Sequence, residues 1–154
     1  MYKITTTRFN NNTYEENQRY KTNNELPCIY GTSLKIKDSI PYKNNIFVIE
    51  MNNQENKIMG IGFIKNQLID DKNYKIYTDK VYNRHIYKGI QHIPIKILNN
   101  EEKEVIEKLE LLLFKGARHS KRAQGITALP EWIEKNEINF PLVIHNIFNN
   151  YTNI

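Results

Sequence analysis

The chain has one cysteine, Cys28, so no internal disulfide can form. A lone thiol suits a reducing compartment. No window approaches the ~20 apolar residues of a membrane span. The opening stretch, MYKITTTRFNNN, lacks the apolar run of a signal peptide. The expectation is a protein that is neither secreted nor membrane-spanning: cytosolic, nuclear or carried inside a particle. Glycine and proline are few, six and five, and no repeat or linker divides the chain. No G-x-x-x-x-G-K-[ST] string marks a P-loop. The spacings of His85, His92, His119 and His145 match no zinc site, and one cysteine adds little to them. No complete catalytic motif is present, and nothing calls for a metal or a cofactor.

What remains is a chain of 154 residues, the size of one domain, residues 1–154. It is long enough to bury roughly two-thirds of its unfolded surface without a staple. Asn and Ile are abundant, with Lys close behind. All three have A/T-rich codons, so an arginine here is stronger evidence of function than a lysine. The net charge of +5 favours polyanions.

Residues 1–9 read as a strand. Asn10–Glu25 is polar and poorly periodic and reads as a loop with at most one helical turn. Cys28–Ile36 reads as a strand. Ile46–Met51 and Lys57–Lys65 flank Asn52–Asn56, a turn signal, and predict a β-hairpin. Gly60 and Gly62 fall on one face of its second arm and leave that face bare, so a bulge, a barrel corner or a closely packed neighbour is expected there. Two further strands are predicted over Tyr74–Tyr82 and Ile86–Ile95. Asn99 or Asn100 caps a helix over Glu101–Phe114, with Val105, Leu109 and Leu112 as its apolar stripe, widened by Ile106 and Leu113. Pro130–Lys135 reads as a short helix and Phe140–Phe148 as a last strand. The order predicts an α+β fold: a small curved, mostly antiparallel sheet or barrel with one main helix and one or two short ones.

The most chemically loaded segment is K-G-A-R-H-S-K-R-A-Q-G-I-T, Lys115–Thr127. It contains no acid; the next is Glu131. Lys115, Arg118, Lys121 and Arg122 place four fixed positive charges in eight residues, directly after a helix with five glutamates and two lysines. Arg can grip phosphate through two parallel N–H bonds, and Lys adds a point charge. Ser120, Gln124 and Thr127 supply neutral donors. His119 is a candidate acid–base group or hydrogen-bond partner. Asn83 and Arg84 lie in Y-N-R-H-I-Y-K-G, between Tyr82 and Tyr87. Those tyrosines, with the lone Trp132, are candidates for stacking on bases. The plain alternatives are a solvated loop balancing the acidic helix, tyrosines on half-buried strands and a tryptophan anchored in the core.

Three stretches carry a resemblance. I-F-V-I-E-M-N-N-Q-E-N-K-I-M-G-I-G-F-I-K-N (Ile46–Asn66), Tyr82–Gly89 and F-K-G-A-R-H-S-K-R-A-Q-G-I-T (Phe114–Thr127) resemble small uncharacterised proteins of nucleocytoplasmic large DNA viruses. That resemblance implies host cytoplasm, host nucleus or virion interior, and it brings no activity. The arm K-I-M-G-I-G-F-I also looks like a barrel strand of the PUA-like superfamily, which includes the EVE, YTH and ASCH domains. That likeness implies a small curved barrel and a partner in RNA or modified bases. No base pocket of that superfamily can be matched residue by residue.

The leading expectation is a non-enzymatic module binding DNA or RNA, with or without modified bases. It grips phosphates through Lys115, Arg118, His119, Lys121, Arg122, Gln124, Arg84 and Asn83 and stacks bases on Tyr82, Tyr87 or Trp132. Two alternatives stay open. One is an enzyme acting on nucleic acid or a nucleotide, with His119 as acid–base. The other is a structural or virion protein whose basic loop meets an acidic protein.

Overall fold

The computed structural model describes residues 2–152. Six strands form one curled, mixed sheet: β1 Lys3–Phe9, β2 Ile29–Thr32, β3 Asn45–Asn52, β4 Lys57–Lys65, β5 His85–Pro94 and β6 Thr127–Ala128, in the order β2-β5-β4-β3-β1-β6. Four of the five pairings are antiparallel; β1 and β3 run parallel. The expected α+β class with a small curved sheet is observed. The hairpin β3–β4 falls where the turn chemistry puts it. Asn52 Oδ1 accepts the amides of Gln54 and Glu55, an Asx turn that uses the side chain in place of a backbone partner.

Strand alternation divides the interior in two. Phe47, Ile49, Ile61, Phe63 and Ile93 point to one face and meet α2 Asn100–Phe114, α3 Glu131–Glu134 and α4 Phe140–Tyr151. Ile46, Val48 and Ile64 point to the other and pack with Phe9, Tyr30, Tyr74, Tyr77 and Tyr87. The main helix forms as expected. Asn99 and Glu102 make a reciprocal capping box, which satisfies two orphan amides. Its buried line is Ile106, Leu109 and Leu113; Val105 and Leu112 are only partly buried, so the helix is rotated from the expected stripe. Glu110 Oε2 accepts the Ile58 amide at 2.7 Å and ties α2 to β4.

Four expectations about elements need correction. Asn10–Glu25 is not a loop: Asn11–Asn23 is a helix, α1. Asn10 caps it through Thr13 in a second capping box, but the inward residue at its centre is polar, so no apolar stripe announces it. That residue, Asn17, is 1 % exposed and donates to the Ile29 carbonyl and to Tyr77 Oη. Tyr74–Tyr82 is not a strand. It is irregular chain ending in a 3-10 turn at Lys80–Asn83, and Asn83 replaces a strand partner by accepting the amides of Ile76 and Tyr77. Cys28–Ile36 is strand only over Ile29–Thr32; Thr32 Oγ1 donates to Leu34 O and turns the chain away. Phe140–Phe148 belongs to a helix. Asn139 caps it, Pro141 sits in its first turn, and Phe140, Ile144, Ile147 and Phe148 are buried at helical spacing. A short apolar run carries too little period to tell strand from buried helix.

Candidate functional site

The basic segment begins where α2 stops. Lys115 N still bonds back to Leu111 O, then Gly116 takes φ +79° and turns the chain. Ser120 N returns to Leu113 O at 2.7 Å. His119 Nδ1 accepts the Lys121 amide at 3.2 Å, so that nitrogen is engaged in holding the turn. The segment's carbonyls point inward to two donors that the sequence had not suggested. Arg8 Nε donates to Ser120 O at 2.9 Å. Arg8 Nη1 reaches Gly125 O, Thr6 O and Thr127 Oγ1. Asn53 Nδ2 donates to Lys121 O at 2.8 Å. Burial lowers the Arg8 guanidinium from 12.5 to about 10, so it stays charged at neutral pH and each bond that Arg8 donates is charge-assisted.

Tying down the backbone leaves the cations outside. Lys115, Arg118, Arg122 and Gln124 are exposed, and Lys121 and His119 are partly so. Arg118 does not stand free: its guanidinium lies 5.6 Å over the ring of Trp132. Trp132 itself is half-buried against the helical core.

Directly beyond these cations, Ala123, Gln124 and Gly125 form one wall of a cleft of about 550 Å³. Gly125 takes φ +76°, and a Cβ there would stand 3.4 Å from Leu34 O and 3.8 Å from the Thr32 Cβ; Thr7–Phe9 of β1 and Tyr30–Thr32 of β2 line the same cleft. The cleft therefore sits where the two edges of the curled sheet, β2 and β1–β6, approach one another. Tyr30, Tyr77 and Tyr82 line it, with Asn53 and the α1 cap residues Asn10 and Thr13. Tyr82 is 42 % exposed and meets Tyr77 edge to face at 6.2 Å, so its ring is both accessible and braced. Arg84 is exposed at the end of the same 3-10 turn. Its charge, after burial and Lys35, lowers His85.

Two sequence candidates are used up by the fold. Asn83 spends its amide on the Ile76, Tyr77 turn. Tyr87 is 2 % exposed, and its hydroxyl accepts the Ile36 amide. Neither offers a free face to a base.

The bare face of β4 has a specific occupant. Tyr30 Oη donates to Glu50 Oε2 at 2.7 Å, and His92 Nε2 lies 3.0 Å from Glu50 Oε1. A Cβ on Gly62 would stand 2.0 Å from Tyr30 Oη, and one on Gly60 2.7 Å from His92 Nε2. The two glycines are the space in which this chain lies. Glu50 is 1 % exposed. Burial alone would raise its carboxyl, but the bond and charge of His92, the Tyr30 hydroxyl and the Lys21 charge outweigh burial and hold it below 4.5. Cys28, close by, is inert: burial and then the Glu50 charge push its thiol up to about 12. Sequence reasoning found the glycine gap but not its occupants, because Tyr30, Glu50 and His92 lie far apart in the chain. No protein-family model matches the chain, and comparison with curated proteins finds none similar to it.

Proposed function

We propose that the protein is a nucleic-acid-binding module that seats one base in the seam cleft while the neighbouring basic segment holds phosphates. One observation carries the reading: the cationic run Lys115–Arg122 leads without interruption into the wall of a concave, tyrosine-lined cleft. Its volume of about 550 Å³ is ample for a nucleobase with its sugar. Lys115, Arg118, Lys121 and Arg122 supply the electrostatic grip, and Arg84 adds charge beside Tyr82. Tyr82 offers the stacking face. Gln124, exposed on the cleft wall, supplies an amide group able to meet a base edge. A base must be unstacked to enter such a cleft, which favours single strands or loops over intact duplex. The likeness of the hairpin arm to PUA-like proteins, several of which bind RNA or modified bases, favours the same reading.

The test is a fluorescence titration with single-stranded and duplex oligonucleotides at several salt concentrations. Single strands should bind more tightly. Tyr82→Ala should weaken binding by about 1–3 kcal/mol, the range of one base–aromatic stack, and leave the circular dichroism spectrum unchanged. Absence of binding to DNA or RNA at low salt would sink the proposal. Loss confined to the arginine variants, with Tyr82→Ala neutral, would remove the base from the cleft.

A further inference from the structure

A second cleft, of about 470 Å³, runs along the flank of α1, whereas the seam cleft lies at that helix's N-terminal end. Tyr14, Gln18 and Lys21 of α1 form one wall; Lys57, His92 and Lys96 face them. None of its lining residues is an acid. Ile58, Met59, Pro94 and Ile95 give it an apolar floor. Two carboxylates stand behind the lining: Glu50, whose Oε1 lies 3.0 Å from His92 Nε2 and whose charge also interacts with Lys21, and Glu110, whose Oε1 lies 3.9 Å from Lys57 Nζ; Lys96 forms no ion pair among the described residues. The Tyr14 hydroxyl is pushed up to about 12, by burial and then by the Glu50 charge, and so remains a donor.

His92 links this cleft to the interior. Its side chain is 8 % exposed, Nε2 faces Glu50, and Nδ1 has no partner among the described residues. Glu50 fixes the plane of the ring, as a carboxylate does behind a metal-bound or catalytic histidine. With a proton on each nitrogen, the ring can donate to Glu50 and to a bound anion together. A buried carboxylate–histidine pair carries a desolvation penalty that apolar side chains of similar volume would avoid, and such pairs mark candidate functional sites.

We propose that this cleft binds a small organic phosphate, whose phosphate group meets His92 Nδ1, Lys21 and Lys96 and whose remainder lies on Ile58, Met59 and Ile95. A bare inorganic ion would leave the apolar floor uncovered. The proposal stands on residues outside the seam cleft and does not depend on nucleic-acid binding there. The phosphate can belong to a free mononucleotide or to the 5′ end of a strand. The experiment follows the His92 ring resonances of isotope-labelled protein during titration with adenosine 5′-monophosphate, adenosine and inorganic phosphate. The monophosphate should shift them saturably, more tightly than inorganic phosphate, and adenosine should not. Lys96→Glu combined with Lys21→Ala, two changes on accessible side chains, should weaken the monophosphate about tenfold. His92→Gln should abolish the binding, but it also leaves Glu50 without its partner, so the lysine pair is the decisive variant. Competition by a 5′-phosphorylated oligonucleotide, but not by its 5′-hydroxyl twin, would assign the ligand to strand ends. Competition by neither would assign it to free mononucleotides. No saturable shift up to about 10 mM, a concentration at which even millimolar affinity shows, would overturn the proposal. So would binding indifferent to the lysine changes.

Discussion

The Lys115–Arg122 segment keeps its cations in water, whereas Glu50 and His92 hold their polar groups almost out of it. The difference separates charge that is free for a ligand from charge that is engaged in the fold. Exposed cations lose little hydration and contribute little to stability, so they can be spent on phosphate. The Glu50 carboxylate has given up its water, and it is tolerable only because Tyr30 and His92 replace that water. Arg8 stands between the two cases. It is half-buried and charged, and two of its four bonds, to Ser120 O and Gly125 O, fix the backbone of the exposed segment.

Mutations should separate the two regions sharply. Glu50→Ala strands His92 and Tyr30 and should cost about 3–5 kcal/mol, the usual result of removing one member of a buried pair. Urea unfolding measures it, and a loss under 1 kcal/mol would mean that the chain is not held as described. The same carboxylate sets a pH dependence. Its folded value lies below the unfolded one, so its contribution is full above about 4.3 and is lost as pH falls through the lowered folded value. Glu50→Gln should flatten the acid limb of the stability curve.

Gly62→Ala should be nearly as harmful, about 3 kcal/mol, because the new Cβ would enter the space of Tyr30 Oη and break its bond to Glu50. An ordinary surface-strand alanine would instead be neutral, which makes this the sharper test of why the glycine is there. Arg8→Ala should cost about 2 kcal/mol, since charge-assisted bonds to Ser120, Gly125 and Thr127 are lost together. It should also speed amide exchange across 118–127, and unchanged exchange there would contradict the stapling role.

The smallest expected effect on stability belongs to Arg118→Ala with Arg122→Ala: about 0.5 kcal/mol, with the loss of the Trp132 contact as the main part. Its effect on binding should be larger. Four phosphate contacts give a slope of roughly −3 for log K against log salt, and removing two should make it shallower by about 1.5. An unchanged slope in a folded variant would put the grip elsewhere.

The sequence by itself determined the features that rest on neighbours in the chain. The β3–β4 hairpin was legible because Asn52 turns the chain with its own side chain, and α2 because Asn99 and Glu102 cap it locally. The basic segment was legible as a run of like charge. Tertiary structure decided everything that needed a distant partner. α1 is held inward by Asn17 bonding Ile29 and Tyr77, which no periodicity of apolar residues reports. Asn83 and Tyr87 proved to be structural because the groups they satisfy, at Ile76, Tyr77 and Ile36, became visible only once folded. Glycines 60 and 62 told of a gap, but its contents came from strands 20 and 42 residues apart in the chain, Tyr30 to Glu50 and Glu50 to His92. A side chain's water is replaced by whichever group folding brings within hydrogen-bond reach, and that group has no fixed address in the sequence.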